Sequence, residues 1–120
     1  MTDYRVDFAS LAWERVMDGV RQKTVTDGSR KLRLVEYAQA MPPHWCEKGH
    51  CGYILQGRFE IEFADGIRVF ERGDGLFIPG GKNHQHKARV LSKVVRAVFV
   101  EDAEPPVAAN KPADRGRSDR

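Results

Sequence analysis

Residues 73–84 read Gly-Asp-Gly-Leu-Phe-Ile-Pro-Gly-Gly-Lys-Asn-His, and this short stretch carries the clearest fold signal in the chain. Gly73 predicts a tight turn with positive φ, and the apolar residues after it predict a strand over Gly75–Ile78. Pro79 has no N–H to give to a sheet, so it suits the end of that strand. The two glycines that follow leave room for a backbone bend before His84. The stretch therefore predicts a strand that ends in a sharp bend with a histidine behind it.

Short apolar segments of the same kind, separated by Asp-Gly and Gly-Gly turn signals, fill most of the chain. Arg58–Phe63 alternates polar and apolar residues, as a half-buried strand does. Gly57, just before it, predicts a sharp bend or bulge between two strands. Strands are predicted at Ala12–Met17, Val20–Thr26, Lys31–Gln39, His50–Gln56, Arg58–Phe63, Ile67–Phe70, Gly75–Ile78, Gln85–Val90 and Lys93–Val100. This pattern predicts an all-β fold, a small antiparallel β-barrel or jelly roll.

The chain has 120 residues, which is the length of a single domain. We expect an N-terminal arm or short helix over residues 1–10 and the barrel over residues 11–103. Residues 104–120 carry prolines, small residues and mixed charges with no aromatic residue. Such a segment buries too little apolar surface to offset its ordering entropy, so it is predicted to be a flexible tail.

Charge and hydropathy exclude two classes of partner. The formal net charge is +3, and the basic residues are scattered rather than clustered, which argues against a nucleic-acid-binding protein. No apolar run approaches the roughly 18 residues that span a bilayer. The first ten residues include Asp3, Arg5 and Asp7 and do not resemble a secretory signal. We therefore expect a cytoplasmic protein, in which Cys46 and Cys51 read as a thiol or metal site rather than a disulfide.

Residues able to bind a metal are confined to one part of the chain. All four histidines and both cysteines lie between residues 44 and 86. Residues two apart on a strand point to the same side, which pairs His44 with Cys46 and His84 with His86. A short turn after Cys46 can return the chain so that His50 faces the same interior. Imidazole and thiolate are preferred ligands of zinc, iron, copper and nickel, so the cluster predicts a site for a divalent transition metal.

The spacing of these residues resembles the two motifs of the cupin superfamily. The first cupin motif, Gly-x5-His-x-His-x3-4-Glu-x6-Gly, is matched here by His44-x-Cys46-x3-His50-x6-Gly57. The second, Gly-x5-Pro-x-Gly-x2-His-x3-Asn, is matched by Gly73-x5-Pro79-x-Gly81-x2-His84. The resemblance covers roughly residues 11–100 and implies a small single-domain cupin. Carried over position by position, it implies that the metal ligands are His44, Cys46, His50 and His84.

The first motif is altered in content. Cys46 stands where the family has its second histidine, and His50 stands where it has glutamate. This set has one thiolate and no carboxylate, so it favours zinc, copper or ferrous iron over manganese. Glu47 is an alternative oxygen ligand. His86 is the candidate catalytic residue, as a general acid or base, with a second-layer partner, a fifth donor or a polar pocket-lining residue as alternatives.

Three functions remain open at this point. The first is a metalloenzyme, like the family's dioxygenases and isomerases, that acts on a small organic molecule in an apolar pocket lined by Ile54, Phe59, Ile61 and Phe77. The second is a non-catalytic barrel that binds a small ligand or senses a metal. The third is a metal-free structural barrel. Because open strand edges need covering, we also expect a homodimer, with the N-terminal strand near Trp13 as the pairing segment.

Overall fold

The computed structural model describes residues 4–103 of the chain. Two single 3₁₀ turns, at Phe8–Ser10 and Lys82–His84, accompany ten strands within this range. The strands are β1 (Glu14–Met17), β2 (Val20–Asp27), β3 (Arg30–Ala38), β4 (Trp45–Cys46), β5 (His50–Gln56), β6 (Arg58–Phe63), β7 (Gly66–Glu71), β8 (Gly75–Ile78), β9 (His86–Val90) and β10 (Val94–Asp102).

The strands form two antiparallel sheets. The larger sheet has the order β1-β2-β3-β10-β5-β8, and the smaller has the order β4-β9-β6-β7. The inner faces of the two sheets supply a common core, so the sheets enclose one barrel-like interior. The predicted small antiparallel β-barrel is therefore confirmed.

Six of the nine predicted strands have different bounds in the structure, and two of these differences affect the site described below. The strand predicted from Gln85 begins at His86, because residues 82–84 close a 3₁₀ turn first. The strand predicted to end at Val100 continues to Asp102, where it pairs with Arg30 of β3. The predicted tail, residues 104–120, lies outside the described residues.

The core is built from side chains that alternate along the central strands. Val35 of β3, Ile54 of β5, and Val95 and Phe99 of β10 are almost fully buried. Burying each of these apolar side chains stabilises the fold by about 1.5–3 kcal/mol, relative to leaving it exposed to water. The residues between them point to the outer face of the larger sheet.

The predicted apolar ligand pocket is wrong for three of its four residues. Ile54, Phe59 and Ile61 are 0%, 2% and 2% exposed, and they pack in the closed core. Alternation put them on the inner face, but it does not show whether that face is filled or hollow. Phe77 lies on the outer face of β8 and is 80% exposed, so it only borders a cavity at the edge of the two sheets.

The bend predicted at Gly57 joins β5 to β6. Gly57 has φ +89°, and a Cβ placed on it would come within 2.0 Å of the Val94 carbonyl oxygen. Only glycine adopts this conformation in this space without strain. Gly73 has φ +98°, as its predicted turn requires.

No helix in residues 4–103 has the length and apolar character needed to cross a membrane.

Candidate metal centre

Three side chains from three strands meet inside the barrel. Cys46 lies on β4, His50 on β5 and His86 on β9, and their ligand atoms all lie within 4.8 Å of one another. Cys46 and His86 are register partners in the smaller sheet, whereas His50 belongs to the larger sheet. These three residues, the Cys-His-His cluster, therefore span the two sheets of the barrel.

Two tightly packed loops hold the cluster in place. The loop between β4 and β5 contains Gly49, where a Cβ would lie 2.8 Å from the Gly80 nitrogen. In the same region, the Gly81 N–H donates to the Glu47 carbonyl oxygen at 2.8 Å. The glycines after Pro79 thus let the second motif's loop approach the first motif's turn. This contact fixes the short strand of Cys46 beside the strand that begins at His50.

His86 is held with one ring nitrogen free. Its Nδ1 donates to the His84 carbonyl oxygen at 3.0 Å, since a carbonyl only accepts. The lone pair of the neutral ring is therefore on Nε2. This Nε2 is the one buried side-chain nitrogen or oxygen in residues 4–103 that lacks a hydrogen-bond partner. A histidine that ligates a metal is oriented in the same way, by a hydrogen bond from its other nitrogen.

His50 is oriented by a carboxylate. Its Nδ1 lies 2.8 Å from Glu101 Oε2. Arg33 grips the same carboxylate with two hydrogen bonds, from Nε at 3.0 Å and from Nη2 at 2.8 Å. The bidentate pair fixes the plane of the carboxylate, and the carboxylate fixes the imidazole so that its Nε2 is left for the cluster.

The charges of the site depend on these contacts. A hydrogen bond with the His50 imidazole is the largest cause that lowers the pKa of the Cys46 thiol, to about 5. Burial lowers the pKa of His50, but its contacts with Cys46 and Glu101 outweigh burial, so that the pKa is raised. Burial raises the pKa of Glu101. The hydrogen bonds of its carboxylate with His50 and Arg33 outweigh the effect of burial and lower the pKa to about 2. Without a metal, the site therefore holds a thiolate at neutral pH.

The structure does not bring His44 and His84 into this cluster. His44 precedes β4 and is exposed, with its Nδ1 3.0 Å from the Pro42 carbonyl oxygen. His84 closes the 3₁₀ turn and is also exposed. Strand alternation would have put His84 on the same face as His86, but the turn interrupts the strand between them. Their assignment as metal ligands stays a prediction.

The remaining candidates are also placed. The Glu47 side chain is exposed and is not part of the cluster. Cys51 is an exposed free thiol on the outer face of β5, facing away from His50 as expected.

Two residues of the site were missed in the sequence. Arg33 and Glu101 lie on neighbouring strands β3 and β10 with their side chains inside the barrel. A usable signal exists for Arg33, because it falls on the inward-facing period of β3 with Val35 and Tyr37. Glu101 continues the inward-facing period of β10 with Val95, Ala97 and Phe99, but the predicted strand ends at Val100, just before it.

The cluster fits a transition metal chemically. One thiolate sulfur and two imidazole nitrogens are a donor set for zinc, iron, copper or nickel. Three protein ligands leave a coordination position open, as catalytic zinc sites do, whereas structural zinc sites usually have four. The unpaired His86 Nε2 is the observation on which the fit rests, since a buried polar atom without a partner is costly.

A small antiparallel barrel with a Cys-His-His cluster able to hold a metal is the class of protein that this fold and site define. A family model described as "Cupin domain" matches residues 32–101. The chain belongs to the cupin family.

Solved structures support the fold. KdgF from Halomonas sp. is 22% identical with a TM-score of 0.66, over 83% of this chain and 93% of KdgF. The polyketide cyclase RemF from Streptomyces resistomycificus is 24% identical with a TM-score of 0.67, over 85% and 81% of the two chains. An RmlC-like cupin from Shewanella frigidimarina is 16% identical with a TM-score of 0.63, over 86% and 95%. No curated protein matches the chain in sequence.

Proposed function

We propose that the protein is a metalloenzyme that binds a divalent transition metal at Cys46, His50 and His86 and acts on a small organic molecule. The observation that carries the proposal is the buried, unpaired His86 Nε2, which faces two other donors of matching chemistry. Each imidazole already donates its Nδ1 proton to an oxygen, so both are arranged for ligation through Nε2.

The residues of the site have two roles, which are to hold the metal and to orient its ligands. Cys46, His50 and His86 would hold the metal, which when bound supplies Lewis-acid activation of a carbonyl or of water. Glu101 accepts the Nδ1 proton of His50 and keeps that ring in one tautomer. Arg33 holds Glu101 in place and balances its charge inside the barrel.

The donor set favours non-oxidative chemistry of the isomerase or cyclase kind over oxygenase chemistry. A thiolate beside activated oxygen is itself open to oxidation, which makes Cys46 an unfavourable ligand for a dioxygenase. The likeness to RemF, a polyketide cyclase, supports an enzyme of this kind but extends to the fold alone. A non-catalytic barrel that binds a ligand or senses a metal is the alternative.

Elemental analysis of the purified protein tests the metal site. We expect about one transition-metal ion per chain, lost in Cys46→Ser and in His86→Ala. His84→Ala is the matched control, because His84 is exposed in the structure and lies outside the cluster. Metal retained in Cys46→Ser and His86→Ala would contradict the proposal. Metal that is bound but supports no turnover across a panel of carbonyl substrates would favour the non-catalytic barrel.

The proposal extends to assembly and location. A homodimer is supported by apolar side chains on the outer face of the larger sheet, where Tyr53, Phe77 and Val100 are exposed. β1, the predicted pairing strand, is the edge of the same sheet. The cytoplasm is supported by Cys46 and Cys51, both free thiols, because a thiolate ligand needs a reducing compartment.

Light scattering tests the homodimer. Tyr53→Glu is expected to convert a dimer into a monomer, because it places a charge in the apolar interface. Ile67→Glu, an exposed apolar residue of the smaller sheet, is the control and should leave the dimer intact. A wild-type protein that is monomeric at micromolar concentration would contradict the proposal.

A further inference from the structure

A cavity of about 540 Å³ opens where the two sheets end side by side. Its walls include inward-facing residues of β7, the edge strand of the smaller sheet, and of β8, the edge strand of the larger sheet. These edges are not paired with each other, so the barrel is open along this seam. The volume is that of a site for a small organic molecule.

The walls of the cavity differ in chemistry. The half-buried rings of Phe63 and Phe70 supply flat apolar surface. Hydrogen-bonding groups come from the second motif's loop, which contributes Asn83, His84 and Gln85. Within residues 4–103, these three side chains have no hydrogen-bond partner in the protein. A molecule with an aromatic body and a polar end matches such a cavity.

The cationic side chain of Arg68 indicates that the polar end of a matching molecule is negatively charged. Arg68 lines the cavity, and its guanidinium carbon lies 5.1 Å from the centre of the Phe63 ring. It pairs with Asp65 at 3.0 and 3.1 Å through both of its terminal nitrogens. This pair is solvent-exposed, so it is weak and open to exchange with another carboxylate.

The cavity adjoins the Cys-His-His cluster. The Phe63 ring, which lines the cavity, is also 6.3 Å from the His86 ring. Ile78, another lining residue, is the register partner of His50. Gln85 directly precedes His86 in the chain. A molecule in the cavity therefore sits one layer of side chains from the cluster.

We propose that this cavity binds an aromatic carboxylate, with the ring between the phenylalanines and the carboxylate on Arg68 in exchange for Asp65. The inference names the substrate class of the proposed enzyme. It rests on the proposed function in one respect, which is that the molecule bound in the cavity is also the substrate of the enzyme. Asn83 and Gln85 supply further hydrogen bonds, and Asp65 acts as a built-in competitor that limits affinity.

Isothermal titration with 2-naphthoate and its neutral match, 2-naphthamide, tests the proposal on the full chain. We expect the acid to bind at least about tenfold more tightly than the amide, as a charge-assisted hydrogen bond implies. Arg68→Gln should remove this preference, and Asp65→Asn should increase the affinity for the acid. Ala64→Trp, which fills the cavity from its exposed lining, should abolish binding of both compounds.

Two controls separate this inference from the metal site. Arg72→Gln removes an exposed arginine that does not line the cavity and should leave the acid preference unchanged. Cys46→Ser should bind naphthoate as the wild type does, because Cys46 is not part of the cavity. Equal affinity for acid and amide, or an acid preference that survives Arg68→Gln, would overturn the inference and leave the metal site untouched. A wild-type protein that takes up no metal but keeps the Arg68-dependent acid preference would overturn only the proposed function.

Discussion

Glu101 links the Cys-His-His cluster to the rest of the barrel. Its carboxylate joins His50 on one side and Arg33 on the other, and Lys31 lies 3.9 Å away. Three positive or proton-donating partners around one carboxylate keep it ionised and fixed in the interior. The orientation of His50 therefore depends on a residue from the far end of the chain.

Replacing Glu101 with glutamine should weaken metal binding without removing a ligand. We expect the affinity for zinc to fall roughly 10- to 100-fold, because the amide holds the His50 ring less firmly and makes it less basic. Competition with a chromophoric chelator measures this change. Asp102→Asn, the exposed neighbour on the same strand, is the control and should bind zinc as the wild type does. An unchanged affinity in Glu101→Gln would show that the carboxylate does not orient His50.

Glu36 is the second buried carboxylate, and its role is in stability. It accepts hydrogen bonds from Arg21 Nε at 2.7 Å and from Arg96 Nε at 2.8 Å. The Arg21 bond, with that of Arg96, holds the pKa of Glu36 below its ordinary value of 4.5 against the opposite effect of burial. The folded state therefore stabilises the ionised carboxylate of Glu36 more than the unfolded state does.

Glu36→Gln should lower the free energy of unfolding by about 1–2 kcal/mol at pH 7, since both arginines are partly exposed. The difference in unfolding free energy between the wild type and the variant is largest above about pH 5. It shrinks as the pH falls below 4.5, because Glu36 then becomes protonated. Urea unfolding of both proteins between pH 3 and 7 measures this. Asp18→Asn, which breaks an exposed pair with Arg15, should cost almost nothing. A difference that stays constant across the range would contradict the ionic explanation.

How much of the site the sequence predicts depends on where each strand starts and stops. Clustering of histidine and cysteine pointed to the region of Cys46 and His50, two of the three residues that the structure brings together. The choice between His84 and His86 rests on one 3₁₀ turn, which no period-2 pattern reveals. Glu101 was missed because the predicted strand ends at Val100, whereas pairing with Lys31 and Arg30 of β3 extends β10 to Asp102.

At the scale of elements, the strands were predictable because propensity, alternation and turn glycines agree. Arg58–Phe63 has the same bounds in the sequence pattern and in the structure. The two-residue strand Trp45–Cys46 has no pattern of its own, and it exists because it pairs with Lys87 and His86. Elements that depend on a distant partner are those that local sequence describes least well.

The β5–β6 junction is the element most sensitive to one added carbon. Gly57→Ala should cost on the order of 3 kcal/mol, because it combines a left-handed conformation with a clash against the Val94 carbonyl oxygen. Gly28→Ala is the matched control, with φ +62° and nothing within 4 Å of the added Cβ. It should cost only about 1–2 kcal/mol. Equal losses of unfolding free energy in urea would show that backbone conformation alone matters at Gly57.

At the scale of the whole molecule, the cluster joins the two sheets. Cys46 and His86 lie in the smaller sheet, and His50 lies in the larger sheet. A bound ion would therefore connect strands that otherwise meet through side-chain packing of the core. Because the unfolded chain does not hold these three donors together, metal binding adds to the free energy of folding.

Thermal unfolding with and without metal should show this connection. At a free metal concentration about 1,000 times the Kd, binding adds roughly 4 kcal/mol, which raises the Tm on the order of 10 °C. Cys46→Ser should lose this increase, whereas His84→Ala should keep it, because the exposed His84 lies outside the cluster. A variant of His84 that loses the increase would instead support the ligand set implied by the cupin motifs. An equal increase in Cys46→Ser would place the bound metal elsewhere, since a cross-link that lacks its thiolate cannot hold the two sheets with the same affinity.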